Sequence, residues 1–150
     1  MSPSRSTVLL VDDEPRVLSA LKRRLSDDFT IATARSAEDA IDILRSDETV
    51  AAVVADLKMP GMNGVDFLRC VQRTQPHIKR IMLTGNVEEA LALTEHDSSF
   101  TFHCLQKPCD AKALGSLLMA TAEELPPYTA FYKKCTTPVA IQRRSCPSRA

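Results

Sequence analysis

Five residues carry side chains that could together perform group transfer: Asp12, Asp13, Asp56, Thr84 and Lys107. Three carboxylates confined to one small pocket repel each other, and a hard divalent cation relieves that repulsion. Mg²⁺ prefers oxygen ligands and keeps several waters, so it binds with few protein donors and leaves positions for a phosphoryl oxygen. Asp13 and Asp56 are candidate direct ligands, with Asp12 acting through water and the backbone carbonyl of Lys58 as a further donor. Lys107 is a point cation able to pair with Asp56 or with phosphoryl oxygens. Thr84 adds a hydroxyl donor. These residue types support phosphoryl transfer onto a carboxylate. Asp56 attacks phosphorus in line, while Mg²⁺ and Lys107 offset charge on the equatorial oxygens. Taken singly, each has an ordinary explanation. Asp12 and Asp13 serve as helix caps, Asp56 as a turn former, Thr84 as a turn hydroxyl and Lys107 as a solvated charge. The chemistry depends on their being brought together.

The hydrophobic pattern supplies the means. Thr7–Val11 is a short apolar run ending in Asp12, Asp13 and Glu14. Pro15 then opens a helical pattern, with Asp13 as its expected cap and Val17, Leu18, Leu21 and Leu25 on one face. Residues 29–33 read as a second strand. Ser36 caps a helix whose inner face is Ala37, Ala40, Ile41 and Leu44. Val50–Asp56 is an apolar run ending abruptly in a carboxylate, followed by the Pro60-Gly61 turn. It reads as a buried strand. Asn63 caps a helix to about Thr74, with Val65, Phe67, Leu68 and Val71 as its apolar candidates. Residues 78–84, 87–93, 100–106 and 111–124 complete two more strand–helix pairs. Strands alternating with helices of this length predict an α/β fold. Its doubly wound parallel sheet carries helices on both faces. The five residues then fall at the carboxyl ends of four parallel strands, where such sheets place their chemistry.

Composition is that of a globular domain: 150 residues, 44% hydrophobic and 25% charged. No apolar run has membrane-spanning length. The five cysteines form no Cys-x-x-Cys pair, which points to cytosolic thiols rather than a zinc site or disulfide framework. The formal net charge of zero conceals an asymmetry. Residues 1–125 hold fourteen of the nineteen Lys and Arg and all nineteen Asp and Glu, and residues 126–150 hold five basic residues and no acid. Three regions are expected: a flexible start over 1–6, a domain over 7–124 and a basic, extended or disordered tail over 125–150. Neither a Gly-x-Gly-x-x-Gly nor a phosphate-binding Gly-x-x-x-x-Gly-Lys-Ser/Thr motif occurs. His77, His96 and His103 lack metal spacing. Cys109 reads as ordinary packing. Arg69, Arg73, Lys79 and Arg80 read as solvated helix ends, with an acidic docking patch as the alternative.

The motifs Val8-Leu-Leu-Val-Asp12-Asp13-Glu14-Pro15, Asp56-Leu-Lys-Met-Pro60-Gly61-Met-Asn-Gly64, Met82-Leu-Thr84-Gly85 and Lys107-Pro108 closely resemble those of response regulator receiver domains. The likeness covers about residues 6–124. It implies a flavodoxin-like sheet of five parallel strands in the order 2-1-3-4-5 with five helices. It also implies that Asp56 accepts phosphate from a histidine kinase phosphohistidine. Asp12 and Asp13 would bind Mg²⁺, Lys107 would contact the phosphoryl group, and Thr84 would shift toward it as a switch. Such a domain is a signalling acceptor rather than a turnover enzyme, and a cytoplasmic location is expected. Its partners would be a sensor histidine kinase or phosphotransfer protein and a downstream effector. Helix four, strand five and helix five form the face for docking or homodimerisation, with no nucleic acid or membrane partner. A looser similarity links Lys107-Pro-Cys109 and Leu83-Thr-Gly85-Asn86 to receivers joined to HD-GYP cyclic-di-GMP phosphodiesterases.

Two positions depart from the pattern. Cys104 stands where the family usually places a rotating aromatic, with Phe102 and His103 just before it. A small thiol has a weaker inward–outward preference, so Phe102 becomes a candidate to take part instead. Lys58 occupies the position two after Asp56 that influences acyl-phosphate hydrolysis. The expectation is that Lys58 pairs with the phosphoryl group or restricts the attacking water, slowing autodephosphorylation. Lys58 also argues against a haloacid-dehalogenase-like phosphatase, which would need a second Asp there. The remaining alternatives are an interaction module independent of phosphorylation, and a receiver cut from a longer regulator.

Overall fold

The computed structural model describes residues 6–95, 99–107, 110–119, 130–132 and 137–139. Five strands and five helices alternate: β1 (Thr7–Val11), α1 (Pro15–Leu25), β2 (Thr30–Ala34), α2 (Ala37–Ser46), β3 (Val50–Asp56), α3 (Gly64–Thr74), β4 (Lys79–Thr84), α4 (Val87–Thr94), β5 (His103–Gln106) and α5 (Ala111–Met119). The strands pair in parallel in the order 2-1-3-4-5, as the resemblance implied. Two short strands follow on the β5 side. β6 (Ala130–Tyr132) pairs in parallel with β5, and β7 (Thr137–Val139) pairs antiparallel with β6. These six residues of the basic tail therefore join the sheet. The rest of the tail, and the start over residues 1–5, lie outside the described residues.

Alternation along each strand divides the core between the two faces. Leu9, Val11, Val53, Ala55, Met82 and Cys104 lie in one cluster with the apolar faces of α2, α3 and α4. Val8, Leu10, Val54, Ile81, Leu83 and Leu105 lie in the other with α1 and α5. On α3 the apolar candidates Val65, Phe67, Leu68 and Val71 are all buried. Truncating Phe67 to Ala would cost about 3–5 kcal/mol through lost transfer energy and the cavity left behind.

Local chemistry fixes the helix starts. Ser36, Asn63 and Asn86 each accept the backbone amide three residues on, from Asp39, Asp66 and Glu89. The expected Asp13 cap is not the one found. The α1 N-cap is Glu14, which makes no side-chain cap hydrogen bond, and the Asp12 carboxylate accepts the Glu14 amide at 2.9 Å. Strand β5 begins at His103 rather than at residue 100. Phe100 and Phe102 instead turn into the core and stack with centroids 5.0 Å apart.

Two glycines hold the loop between β3 and α3. Gly61 has φ of 81°, a left-handed conformation that a side chain strains. A Cβ at Gly64 would meet the Asp56 carbonyl oxygen at 2.3 Å. Only glycine lets the start of α3 approach the end of β3 so closely, where the Gly64 amide donates to the Leu57 carbonyl at 2.8 Å.

Candidate phosphoryl-acceptor site

Strand register assembles the site. Val11 is level with Ala55 across the β1–β3 pair, so Asp12 and Asp56, each one residue further, emerge side by side. Asp56 is level with Leu83, and Thr84 with Gln106. The Lys107 amide then donates to the Thr84 carbonyl at 2.8 Å, which fixes the start of the lysine against the tip of β4.

Carboxylate oxygens of Asp12, Asp13 and Asp56 all lie within 4.8 Å of one another. Lys107 Nζ stands between two of them, 3.0 Å from Asp12 Oδ2 and 3.2 Å from Asp56 Oδ1. Asp12 is buried, and both its oxygens are engaged, one by Lys107 and the other by the Glu14 amide. Asp13 and Asp56 are only partly buried. Burial pushes the Asp56 carboxyl above its ordinary pKa; Lys107 works against this, while the charges of Asp12 and Asp13 add to it. Burial disfavours the Lys107 ammonium, but the Asp12 hydrogen bond and the charges of Asp56 and Asp12 more than offset that and raise its pKa. Lys107 therefore stays charged, and Asp56 is a more basic carboxylate than an exposed one. A set of three hard oxygen donors beside one ammonium fits a divalent cation and a phosphoryl group.

Thr84 is buried at the rim and turned toward the α4 cap. Its hydroxyl accepts the Asn86 amide at 3.0 Å and donates to the Asn86 carbonyl at 3.3 Å. The Lys58 ammonium pairs with Glu89 Oε1 in the first turn of α4 at 3.2 Å. Cys104 is buried on β5, and Phe102 is buried beside it in the same cluster. Neither Asn86 nor Glu89 was singled out from the sequence as a neighbour of the site. The available signal was charge complementarity, since Lys58 and Glu89 each follow a strand tip by a few residues and those strands, β3 and β4, are adjacent. Pro108, Cys109 and His96 lie outside the described residues.

Arg73 is exposed in the last turn of α3, as expected of a solvated basic end, whereas Arg69, Lys79 and Arg80 are partly buried. Lys79 Nζ donates to the Leu117 carbonyl at 2.9 Å, and Arg80 is half-buried among backbone carbonyls. Arg69 sits over the Phe100 ring, 5.4 Å from its centroid. These residues hold the fold together.

Residues 8–119 match the response regulator receiver domain family, and the chain belongs to that family. It is 34% identical over 108 residues to the hydrogenase transcriptional regulatory protein HoxA of Cupriavidus necator, covering 72% of this chain and 22% of that protein. It is 32% identical to the photosynthetic apparatus regulatory protein RegA of Cereibacter sphaeroides, over 85% of this chain and 68% of that protein. Among solved structures, the signal receiver domain of an HD domain-containing protein from Pseudomonas fluorescens superposes with a TM-score of 0.70 at 30% identity, covering 79% and 87% of the two chains. The chain thus spans less than a quarter of the length of HoxA and about two-thirds of RegA. Receiver domains act as signalling modules in two-component systems and work with histidine kinases and effector domains. Among the described residues, no helix is long and apolar enough to cross a membrane.

Proposed function

We propose that the chain accepts a phosphoryl group on Asp56 in a Mg²⁺-dependent reaction and that the modification switches its contacts with other proteins. The observation that carries this reading is the Lys107 ammonium bridging Asp12 and Asp56 within a three-carboxylate pocket. The donor is a phosphohistidine of a sensor histidine kinase or phosphotransfer protein. An Asp56 oxygen bonds to phosphorus as the P–N bond breaks, and the electron pair leaves with the imidazole nitrogen, which takes a proton. The product on Asp56 is an acyl phosphate. Asp13 and Asp56 would hold the cation directly and Asp12 through water, since both Asp12 oxygens already accept hydrogen bonds; the Lys58 carbonyl is the remaining donor. Bound there, Mg²⁺ would supply charge neutralisation at the transferring group.

The chain's own residues do the rest. Lys107 offsets the charge that collects on the phosphoryl oxygens. Thr84 can reach the phosphoryl group only by giving up Asn86, so loading is linked to the start of α4. Read-out follows over α4, β5 and α5, in homodimerisation or in docking an effector. Buried Cys104 replaces the usual aromatic on that face, and Phe102 packs inside, so coupling runs through α4 more than through a rotating ring. The domain spans residues 7–124, works in the cytoplasm and belongs to a longer regulator or stands alone. The solved receiver of an HD domain-containing protein supports a regulator joined to an HD domain as one such setting.

The test is incubation with Mg²⁺ and acetyl phosphate, followed by intact mass. One phosphoryl adduct on the wild type, absent in Asp56→Ala, is expected. No adduct under conditions that label other receivers would favour a phosphorylation-independent interaction module.

A further inference from the structure

In the parallel core of the sheet, β5 is the last strand, following α4 and preceding α5 in the chain. The outer edge of such a strand presents backbone amides and carbonyls that pair readily with an extended segment. Here that edge is taken by the chain's own tail. Ala130 and Phe131 of β6 pair in parallel with Cys104 and Leu105. β7 then pairs antiparallel with β6, placing Val139 level with Ala130, Pro138 with Phe131 and Thr137 with Tyr132. A proline has no N–H. Phe131 and Pro138 therefore cannot exchange two hydrogen bonds, and the antiparallel ladder is bonded at the pairs on either side of them. Strand alternation then sets two directions. The backbone nitrogen of Pro138 lies on the outer side of β7, so the last strand of the sheet offers no amide at its centre. The Phe131 amide points the other way from β7, toward β5.

We propose that the outer edge of β5 is a binding site for an extended strand, that residues 130–132 of the same chain are its resident ligand, and that Pro138 ends the sheet beyond them. The inference concerns the sheet edge and holds whether or not Asp56 is the phosphoacceptor. Charge favours the tail as occupant. Residues 126–150 hold five basic residues and no acid, while residues 1–125 hold fourteen basic residues and nineteen acids. Tethering favours it further. Residues 120–129 are all that separate α5 from β6, and a short link gives an effective concentration on the order of millimolar. The pairing itself is slight, with only Ala130 and Phe131 in register against β5. A competing strand can therefore displace it. The tail keeps the β5 edge closed without sealing it, and the outer side of β7 gives a second copy no central amide to pair with. A protein that docks on α4, β5 and α5 through the β5 edge must first displace the tail.

The probe is a fluorescein-labelled peptide of residues 126–141, and its anisotropy is read on titration with the full chain as wild type and as Phe131→Pro. The substitution removes the amide that β6 turns toward β5. Its vacant edge should bind the peptide about tenfold more tightly than the wild type, whose own tail competes. Hydrogen exchange reads the same edge directly. Amides of residues 103–106 should exchange several-fold faster in Phe131→Pro and return to the wild-type rate when unlabelled peptide is added, a rescue that a misfolded variant would not show. Pro138→Val restores an outward amide on β7 and should self-associate at about tenfold lower concentration than the wild type in sedimentation velocity. Equal peptide binding by wild type and Phe131→Pro, binding by neither, or unchanged exchange at residues 103–106 overturns the edge site. Exchange there that speeds up when the wild type is diluted shows the edge covered by a second copy, which overturns the tail as resident ligand. Wild-type association by Pro138→Val overturns the role of Pro138.

Discussion

The two ends of the sheet handle charge in opposite ways. At the amino end of β4, Arg80 donates to the carbonyls of Thr101, Pro76 and Ile78 and to Thr101 Oγ1, at 2.9–3.1 Å. Lys79 donates to the last carbonyls of α5, and Gln72 binds the backbone at both Ser99 and Thr101. Among the described residues, these contacts are all to neutral acceptors: Lys79 to the carbonyls of Leu117 and Leu118, and Arg80 to three carbonyls and one hydroxyl. At the carboxyl end, three carboxylates cluster and one ammonium pairs with two of them. The first arrangement gives donors to these carbonyls and fastens α5 and the β5 approach to the sheet. The second leaves like charges packed together, a cost that a cation or a phosphoryl group with its metal can relieve. Stability resides where polar groups are matched, and reactivity where they are not.

Breaking the matched end should have the largest effect. Arg80→Met would leave several partly buried carbonyls without donors, at about 1–3 kcal/mol for a buried unsatisfied group. A loss of about 2–4 kcal/mol in urea unfolding is expected, with phosphoryl loading of the folded fraction unchanged. The unmatched end should respond in the other direction. Mg²⁺ at a hundred times its dissociation constant should stabilise the wild type by about 2.7 kcal/mol. Asp13→Asn should weaken that response, as read from thermal shifts across a Mg²⁺ titration.

The smallest effect is the most diagnostic of the repulsion. Asp56 has a raised pKa in the folded chain. Its contribution to stability is therefore fully present below the unfolded value of 3.8 and is lost as pH rises through the folded value. Asp56→Asn removes that loss. It should be more stable than the wild type by about 1 kcal/mol at neutral pH without Mg²⁺, a typical single-substitution scale. The gain should vanish as the pH is lowered below the unfolded value. A destabilised Asp56→Asn at neutral pH would show that Lys107 had already balanced the site.

The sequence disclosed the reactive end far better than the matched one. Val50–Asp56 was legible to the residue, because an apolar run that stops at a carboxylate is a local signal. Strand alternation then implied that Asp12, Asp13, Thr84 and Lys107 converge with it. Lys79 and Arg80 read as solvated ends, because their partners lie in α5 and before β5, up to 39 residues away. Lys58 was expected at the phosphoryl group, and its pairing with Glu89 depends on how β3 and β4 sit side by side. The Asp13 cap was misassigned because the helix starts one residue later than that cap requires, at an N-cap of Glu14 that makes no side-chain cap hydrogen bond, while Asp12 accepts the Glu14 amide. Strands β6 and β7 have three residues each, too few to show a period.

We propose that this unbalanced edge receives a phosphoryl group at one carboxylate, Asp56. The most direct measurement is site mapping. The chain is treated with acetyl phosphate, with and without Mg²⁺, the acyl phosphate is reduced with borohydride, and the peptides are sequenced by mass. Conversion at Asp56 alone, and only with Mg²⁺, is the predicted result. Conversion at Asp12 or Asp13, conversion that does not require the metal, or none at all would contradict it.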